Sequence, residues 1–380
     1  MQGFNKLIKR EIDIIPTART AQLSGIFDIP PTKRSAEMWT VNLPLNERDW
    51  NIGLIVGPSG SGKTTIIREL FADSIVDSFD WPKKKSVLDG FPNGMGIKDI
   101  SALLNSVGFS SPPSWFRPYH VLSNGEKFRV HIARALAESN DLCVIDEFTS
   151  VVDRTVAKIG SSAVAKTVRR YGKKLIAASC HYDIEEWLQP DWIYRPLENE
   201  FQWRLLQRRP DIKLEISRVH HSAWQYFKRY HYLTAELNKA AQCFVAFYED
   251  LPVAFYSYLQ FVNNRLKRTK RGHRVVCLPD YQGAGIGMKL EEYIASCLKA
   301  IGWDYIGSSA HPVRNHYCAK SPLWKMISKP TININKNRGK KGYPSGGRGD
   351  FMRYLGRLTA TFRYIGPTVP GDEARIIAHS

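Results

Sequence analysis

Residues 57–65 have the types and the spacing to hold a polyphosphate: Gly57, Ser59, Gly60, Ser61, Gly62, Lys63, Thr64 and Thr65, with Pro58 among them. The pattern is a glycine, four residues, then glycine, lysine and threonine. Glycines let the backbone curl until successive N–H groups point at phosphate oxygens. Lys63 then reaches the β- and γ-phosphates, and the Thr64 hydroxyl ligates magnesium. An apolar run at 52–56 precedes the loop and a helical pattern at 65–71 follows it. A Gly/Ser-rich turn matching by chance would lack those flanks. The expectation is a nucleoside triphosphate site with bound Mg2+.

Three further stretches carry chemistry that fits such a site. Leu122, Ser123, Asn124, Gly125 and Glu126 run into a helical apolar pattern at 130–137. Ser123 and Gly125 therefore stand at a helix N-terminus, a natural anion site. Residues 142–145 read as a buried strand that delivers Asp146 and Glu147 at its carboxyl end. That pair suits magnesium binding by Asp146 and water activation by Glu147. A second buried strand, 175–179, ends close to His181.

In this order the pieces resemble the ABC-type ATPase family, whose signature usually reads L-S-G-G-Q; the resemblance covers roughly residues 20–200. It implies that nucleotide is sandwiched between two protomers in an ATP-dependent homodimer, with Ser123 and Gly125 completing a site built on the other copy's Lys63. It also implies that Asp153 ends the D-loop and that His181 is the switch histidine sensing the γ-phosphate. Two departures stand out. No glutamine lies between Thr65 and Ser123, so the usual Q-loop magnesium ligand is missing or replaced. The gap from Lys63 to Ser123 is 60 residues, shorter than a transport ATPase would have. A soluble ATPase acting on nucleic acid is expected rather than a transporter subunit.

The second half holds another glycine loop. A strand pattern at 274–279, containing Cys277, runs into Gln282, Gly283, Ala284, Gly285, Ile286 and Gly287, then an amphipathic helix at 288–300. Before it, 243–248 and 252–258 read as a β-hairpin around Glu249 and Asp250, and 305–309 reads as a following strand. This arrangement resembles the acyl-CoA pyrophosphate loop of the GNAT-family acetyltransferases, which implies acetyl-CoA or another acyl-CoA held at Cys277 and 282–287. A dinucleotide-binding reading of the glycines lacks a βαβ unit with a following acid. Many of those enzymes place a tyrosine on the helix after the last strand, whereas Asn315, His316, Tyr317 and Trp324 follow that pattern only loosely. His231 and Tyr232, just before the hairpin, resemble the His-Tyr pair of the Mom-type phage enzymes that modify adenine in DNA, which implies catalytic roles for both. As isolated residues they would be ordinary packing groups. The whole chain resembles fusions of an ABC-type ATPase to an acetyltransferase domain.

The elements that must position these groups follow from composition and pattern. With 380 residues, 43% hydrophobic and 24% charged, the chain reads as two globular domains. The expected fold is α/β: a P-loop ABC-type ATPase domain at 1–204, then an α+β GNAT-like acyltransferase domain at 205–380. Residues 1–50, broken by Pro16, Pro30, Pro31 and Pro44, suit antiparallel strands; Phe27 and Trp39 are aromatics able to reach adenine, with core packing the plainer role. No apolar stretch reaches the roughly 18–20 residues that span a membrane. No signal peptide is evident and the six cysteines form no close pair, so a cytoplasmic location with reduced thiols is expected.

The net charge of +18 is one-sided: residues 1–200 carry 25 basic against 24 acidic side chains, and 201–380 carry 29 against 12. Such asymmetry suggests a polyanionic partner, nucleic acid first, with DNA favoured over RNA. A Gly-rich basic loop at 330–350 suits a phosphate backbone. Two other readings stay open beside base modification. One is a protein or small-amine N-acetyltransferase regulated by the ATPase, and the other a non-catalytic nucleic-acid-binding clamp driven by ATP.

Overall fold

The computed structural model describes residues 2–30, 34–231, 236–261, 268–332 and 358–374. The chain divides into two compact units, 1–107 with 117–210, and 108–116 with 211–380. The expected boundary at 204/205 lies six residues before this division. The sequence pattern did not show that 108–116, between the phosphate loop and the signature, packs with the second unit.

The first unit is built on five short strands, β3 (Ile52–Val56), β4 (Leu142–Ile145), β5 (Lys174–Ser179), β6 (Trp192–Arg195) and β7 (Glu200–Trp203), in the order β4-β5-β3-β6-β7. β3 pairs in parallel with β5 and β6, and only the β6–β7 edge is antiparallel. Strands covered on both faces must be apolar throughout, and all five residues of β3 are buried. Two longer strands, β1 (Phe4–Asp13) and β2 (Arg34–Leu43), form an antiparallel ribbon. Its base packs Ile8, Val41 and Leu43 against Ile66, Ile67 and Phe71.

Helices α2 (Lys63–Phe71), α3 (Ile97–Ser106), α5 (Asn124–Glu138), α6 (Arg154–Arg170) and the single turn α7 (Glu185–Leu188) complete this unit. Strands alone were expected before residue 50, yet α1 (Ala18–Phe27) forms there. A reciprocal capping box between Thr17 and Thr20 starts it and a left-handed Asp28 ends it, although none of its residues is buried.

The second unit is one mixed sheet of seven strands in the order β13-β14-β12-β11-β10-β9-β8. The strands are β8 (Glu215–Val219), β9 (Gln242–Tyr248), β10 (Leu251–Gln260), β11 (Thr269–Cys277), β12 (Asp304–Ser309), β13 (Trp324–Ile332) and β14 (Leu358–Tyr364). The β9–β10 hairpin turns on Glu249 and Asp250, both left-handed at φ 48° and 64°, the twist a two-residue hairpin loop requires. The short α8 (Trp224–Phe227) precedes the hairpin. Helix α9 (Ile286–Ala300) connects β11 to β12, and α10 (Pro312–Lys320) leads on to β13.

β11 and β12 are the parallel pair, and they stay together only from Thr269↔Asp304 to Arg271↔Ile306. Beyond this, β11 continues along β10, with a bulge at Ser257/Tyr258, while β12 continues along β14. The carboxyl halves of β11 and β12 therefore part. The short α4 (Pro112–Trp115) lies in the 108–116 segment of this unit. Among the described residues no helix is long and apolar enough to cross a membrane.

Candidate functional sites

In the first unit, the order β4-β5-β3 brings the carboxyl ends of three parallel strands side by side. The phosphate loop leaves β3, the acid pair leaves β4 and His181 follows β5. Gly57 N–H donates to the Ser179 carbonyl at 3.3 Å, and His181 N–H to the Ser179 hydroxyl at 3.1 Å, so one serine holds both segments. Gly60 and Gly62 are left-handed, and Gly62 starts α2 at φ 88°, ψ 5° with no side-chain cap. The helix's first N–H groups stay open to an anion. Lys63 and Thr64 are helical, so this helix begins two residues before its expected start.

The Lys63 ammonium curls over its own loop, donating to the Gly57 and Pro58 carbonyls at 2.8 and 2.7 Å. Partial burial lowers its pKa, against the opposing pull of Cys180, Asp146 and Glu147. The two acids expected to serve magnesium and water are thus within electrostatic reach of the lysine. So is Cys180, an exposed thiol that the sequence pattern did not mark. Ser61 is buried, with no hydrogen-bond partner for its hydroxyl among the described residues. Thr64 is exposed and Thr65 half-buried. Trp39 lies on the loop: a Cβ at Gly62 would meet its indole nitrogen at 2.3 Å. Phe27, the other aromatic considered, is 63% exposed on α1.

The turn after β4 is strained. Glu147 at φ 50° and Thr149 at φ 71° are both left-handed, and the Phe148 N–H anchors the turn to the Ala178 carbonyl at 2.7 Å. Glu147 is exposed, and its N–H donates to the Asp146 carboxylate at 2.9 Å. The Asp153 carboxylate caps α6 by accepting from Val156 N–H at 3.0 Å. Desolvation and then Arg154 lower the His181 pKa, against the pull of Asp183, and its Nδ1 is buried with no hydrogen-bond partner among the described residues.

Ser123 caps α5 in a reciprocal box with Glu126, and Gly125 is buried in the first turn. No hydrogen bond among the described residues joins Ser123 or Gly125 to residues 57–65. Where the glutamine is missing, Ile75 bridges Val144 in parallel and the Val76 N–H donates to the Val144 carbonyl at 2.9 Å. The phosphate loop, the acid pair and His181 are therefore gathered at the carboxyl end of the parallel strands.

The second unit repeats the loop geometry. Gly285 starts α9 at φ 87°, ψ 7° with no side-chain cap, and Gly283 is also left-handed at 94°. Gln282 is buried: its amide donates to the Cys277 carbonyl at 2.9 Å and accepts from Ser110 N–H at 2.8 Å. Cys277, Gly283, Ala284 and Gly287 are half-buried, Gly285 is exposed and Ile286 is buried. These residues border the place where β11 and β12 separate.

His231 is only 9% exposed, with its ring 5.5 Å from Trp224, which in turn packs on Phe255. Tyr232 and the basic loop from 333 onward lie outside the described residues. Asn315 donates to the Ser309 carbonyl at 3.0 Å, His316 is exposed, and the Tyr317 hydroxyl and Trp324 indole both donate to Glu292, at 2.7 and 3.1 Å.

Tertiary packing also assembles groups that periodicity did not mark. Burial alone would lower the Arg314 pKa, and the Glu291 carboxylate more than offsets this through bonds of 2.6 and 2.9 Å. Tyr305 donates to the same carboxylate at 2.7 Å and receives the Tyr256 hydroxyl at 2.6 Å. His273, on the part of β11 that has left β12, is pushed down to about 4 by burial and by Arg274 and Arg271. Its Nε2 accepts from Asn238 N–H at 3.3 Å. The signal for that shift was the basic run flanking it on a strand.

No family model matches the chain. It is 30% identical over 208 residues to the energy-coupling factor transporter ATP-binding protein EcfA1 of Geobacillus kaustophilus, covering 44% of this chain and 72% of that protein. It is 29% identical over 158 residues to the zinc import ATP-binding protein ZnuC of Marinobacter nauticus, covering 36% of this chain and spanning 58% of the relative. Among solved structures, cbiO1 from Clostridium perfringens, part of the ABC transporter complex cbiONQ, is 21% identical. It covers 41% of this chain and 76% of that chain, with a TM-score of 0.32. On its coverage of the first relative, with the phosphate loop, acid pair and signature in place, the chain belongs to the ABC-type ATPase family.

Proposed function

We propose that this protein hydrolyses ATP in a homodimer and uses its second unit to transfer an acyl group from acyl-CoA to a nucleic-acid base, in the manner of a Mom-like DNA modification. In the first unit, Lys63 and the N–H groups of 57–65 hold the phosphates, and Thr64 and Asp146 hold magnesium. Glu147 activates the attacking water, and His181 senses the γ-phosphate. Ser123, Gly125 and Asp153 act across the dimer. The proposed location is cytoplasmic.

One observation carries the second half of the reading: a parallel strand pair that parts beside a left-handed glycine loop and an uncapped helix N-terminus. The loop at 282–287 suits a pyrophosphate, and the gap between β11 and β12 suits an extended pantetheine arm. In the transfer, a base nitrogen attacks the thioester carbonyl. The new C–N bond forms as the C–S bond breaks, and the thiolate leaves and takes up the proton. His231, buried on Trp224, enters as an orienting group rather than a solvent-facing base, with Tyr232 beside it in sequence. A base in a duplex leaves its stack at a cost of a few kcal/mol, which an ATP-driven dimer gripping the strand helps to supply.

The test is mass spectrometry of nucleosides from cells expressing the protein. A new mass that disappears in Gly285→Glu, while ATP hydrolysis persists, supports the reading; no new mass with active protein rejects base modification. Nucleic-acid binding by the full chain should also weaken with salt, each neutralised phosphate adding roughly −0.9 to the log–log slope on duplex DNA. Replacing Lys336, Arg338, Lys340 and Lys341 by alanine flattens that slope if the basic loop follows the backbone.

A further inference from the structure

Residues 108–116 interrupt the first unit's sequence between α3 and the signature serine, yet they pack with the second unit. The segment is well anchored there. Phe109 is 1% exposed, and Ser111 and Ser114 are also buried. The Trp115 indole donates to the Phe109 carbonyl at 2.9 Å and closes the segment on itself. Ser110 is held on two sides: its N–H donates to Gln282 at 2.8 Å, and its backbone also hydrogen-bonds the half-buried His311 imidazole ahead of α10. Gln282 is the first residue of the proposed pyrophosphate loop, and its other amide end is fixed to the Cys277 carbonyl at 2.9 Å. Both ends of the buried amide are used. An unmade bond at either would strand a buried polar group, so loop and segment are restrained to move together. Only six residues separate Phe116 from Ser123, which caps α5.

We infer that Gln282 is a positioning residue through which the segment 108–116 couples donor binding at the 282–287 loop to the nucleotide state of the ATPase. This rests on the acyl-CoA reading of that loop. Nucleotide closure that shifts the signature helix pulls on the segment through a short tether, and the Ser110–Gln282 bond carries the shift to the loop. Coupling of this kind is reciprocal: acyl-CoA must change the affinity for ATP by the same factor as ATP changes the affinity for acyl-CoA.

The experiment measures the Kd of acetyl-CoA on the full chain by calorimetry, with and without saturating Mg-ATP. It uses the Glu147→Gln background so that ATP is retained. The ratio of the two Kd values is the readout, so a uniform loss of donor affinity cancels. The expected ratio is at least about 5-fold, falling to near 1 in Ser110→Pro, which deletes the N–H and leaves Gln282 in place. Gln282→Met removes the same bond from the other side and serves if the proline variant does not fold. Acetyl-CoA binding with a ratio of 1 in the parent overturns the coupling and leaves the donor site standing. A ratio that survives both Ser110→Pro and Gln282→Met overturns the route through Gln282. No acetyl-CoA binding under either condition overturns the donor reading itself.

Discussion

Alanine at Gly285 isolates the backbone contribution to the second glycine loop. The residue sits at φ 87°, ψ 7°, and a Cβ there would meet nothing within 4 Å. Space is therefore no obstacle, and the cost is conformational. A side chain in the left-handed region costs about 1–2 kcal/mol. For a unit of this size that lowers its melting temperature by roughly 2–8 °C. A loop that relaxes away from the left-handed turn no longer points its N–H groups at one place, and ligand binding must restore the strain. Acetyl-CoA affinity should then fall by a factor of about 5–30. Gly62→Ala is the internal control, with almost the same dihedrals but a Cβ that would lie 2.3 Å from the Trp39 ring nitrogen. It should cost the same strain plus a clash, and weaken ATP binding more than Gly285→Ala weakens acetyl-CoA. Calorimetric binding and urea unfolding of both variants provide the numbers. If Gly285→Ala binds acetyl-CoA as the parent does and melts within a degree of it, the loop does not need its left-handed turn and the phosphate-loop reasoning fails.

Glu147→Gln should keep ATP affinity, nearly abolish turnover and shift the protein to a dimer by light scattering; a monomer with ATP bound would contradict the sandwich. Cys180, exposed and beside Lys63, should take up iodoacetamide while Cys143, pushed up to about 11, and Cys318, pushed up to about 12, do not. Mg-ATP should slow the Cys180 reaction, as read by peptide mass spectrometry. Arg314→Met leaves the 2%-exposed Glu291 without its cation and should cost about 3–5 kcal/mol in urea unfolding. Adding Glu291→Gln should recover part of that loss, and equal, additive losses would contradict the pairing. Folded His273 stays neutral down to about 4, whereas an unfolded histidine titrates near 6.5. The unfolded chain therefore binds more protons between those values, and the contribution of His273 to stability, complete above pH 6.5, declines as pH falls through that window. His273→Asn should flatten the dependence, measured as urea midpoints at pH 5 and 7.5.

The phosphate loop was legible because its chemistry is local. Gly57, Gly60, Gly62, Lys63 and Thr64 are near neighbours in sequence, and the loop geometry is set by which of them lack a Cβ. Strand β3 and the β9–β10 hairpin were legible for a similar reason, since an unbroken apolar run and a two-residue polar turn each state their own environment. The acid pair after β4 and His181 after β5 were visible as strand-end residues. That the acid pair comes within electrostatic reach of Lys63 depends on the order β4-β5-β3, which no local pattern encodes, because parallel neighbours are chosen by crossover helices and packing.

What tertiary structure alone decided is of this non-local kind. The left-handed Asp28 and the Thr17 box stabilise a helix where four prolines suggested only strands, because capping outweighed the breakers around it. Cys180 gained its place near Lys63 from the pairing of Val56 with Ser179. Glu291 and Arg314, 23 residues apart, are ordinary charges in the sequence. They become a buried pair only because α10 packs beside α9. The segment 108–116 reads as a polar, proline-rich loop of the first half. Its attachment to Gln282 spans 172 residues and rests on one backbone N–H, a group every non-proline residue carries and no sequence pattern can single out.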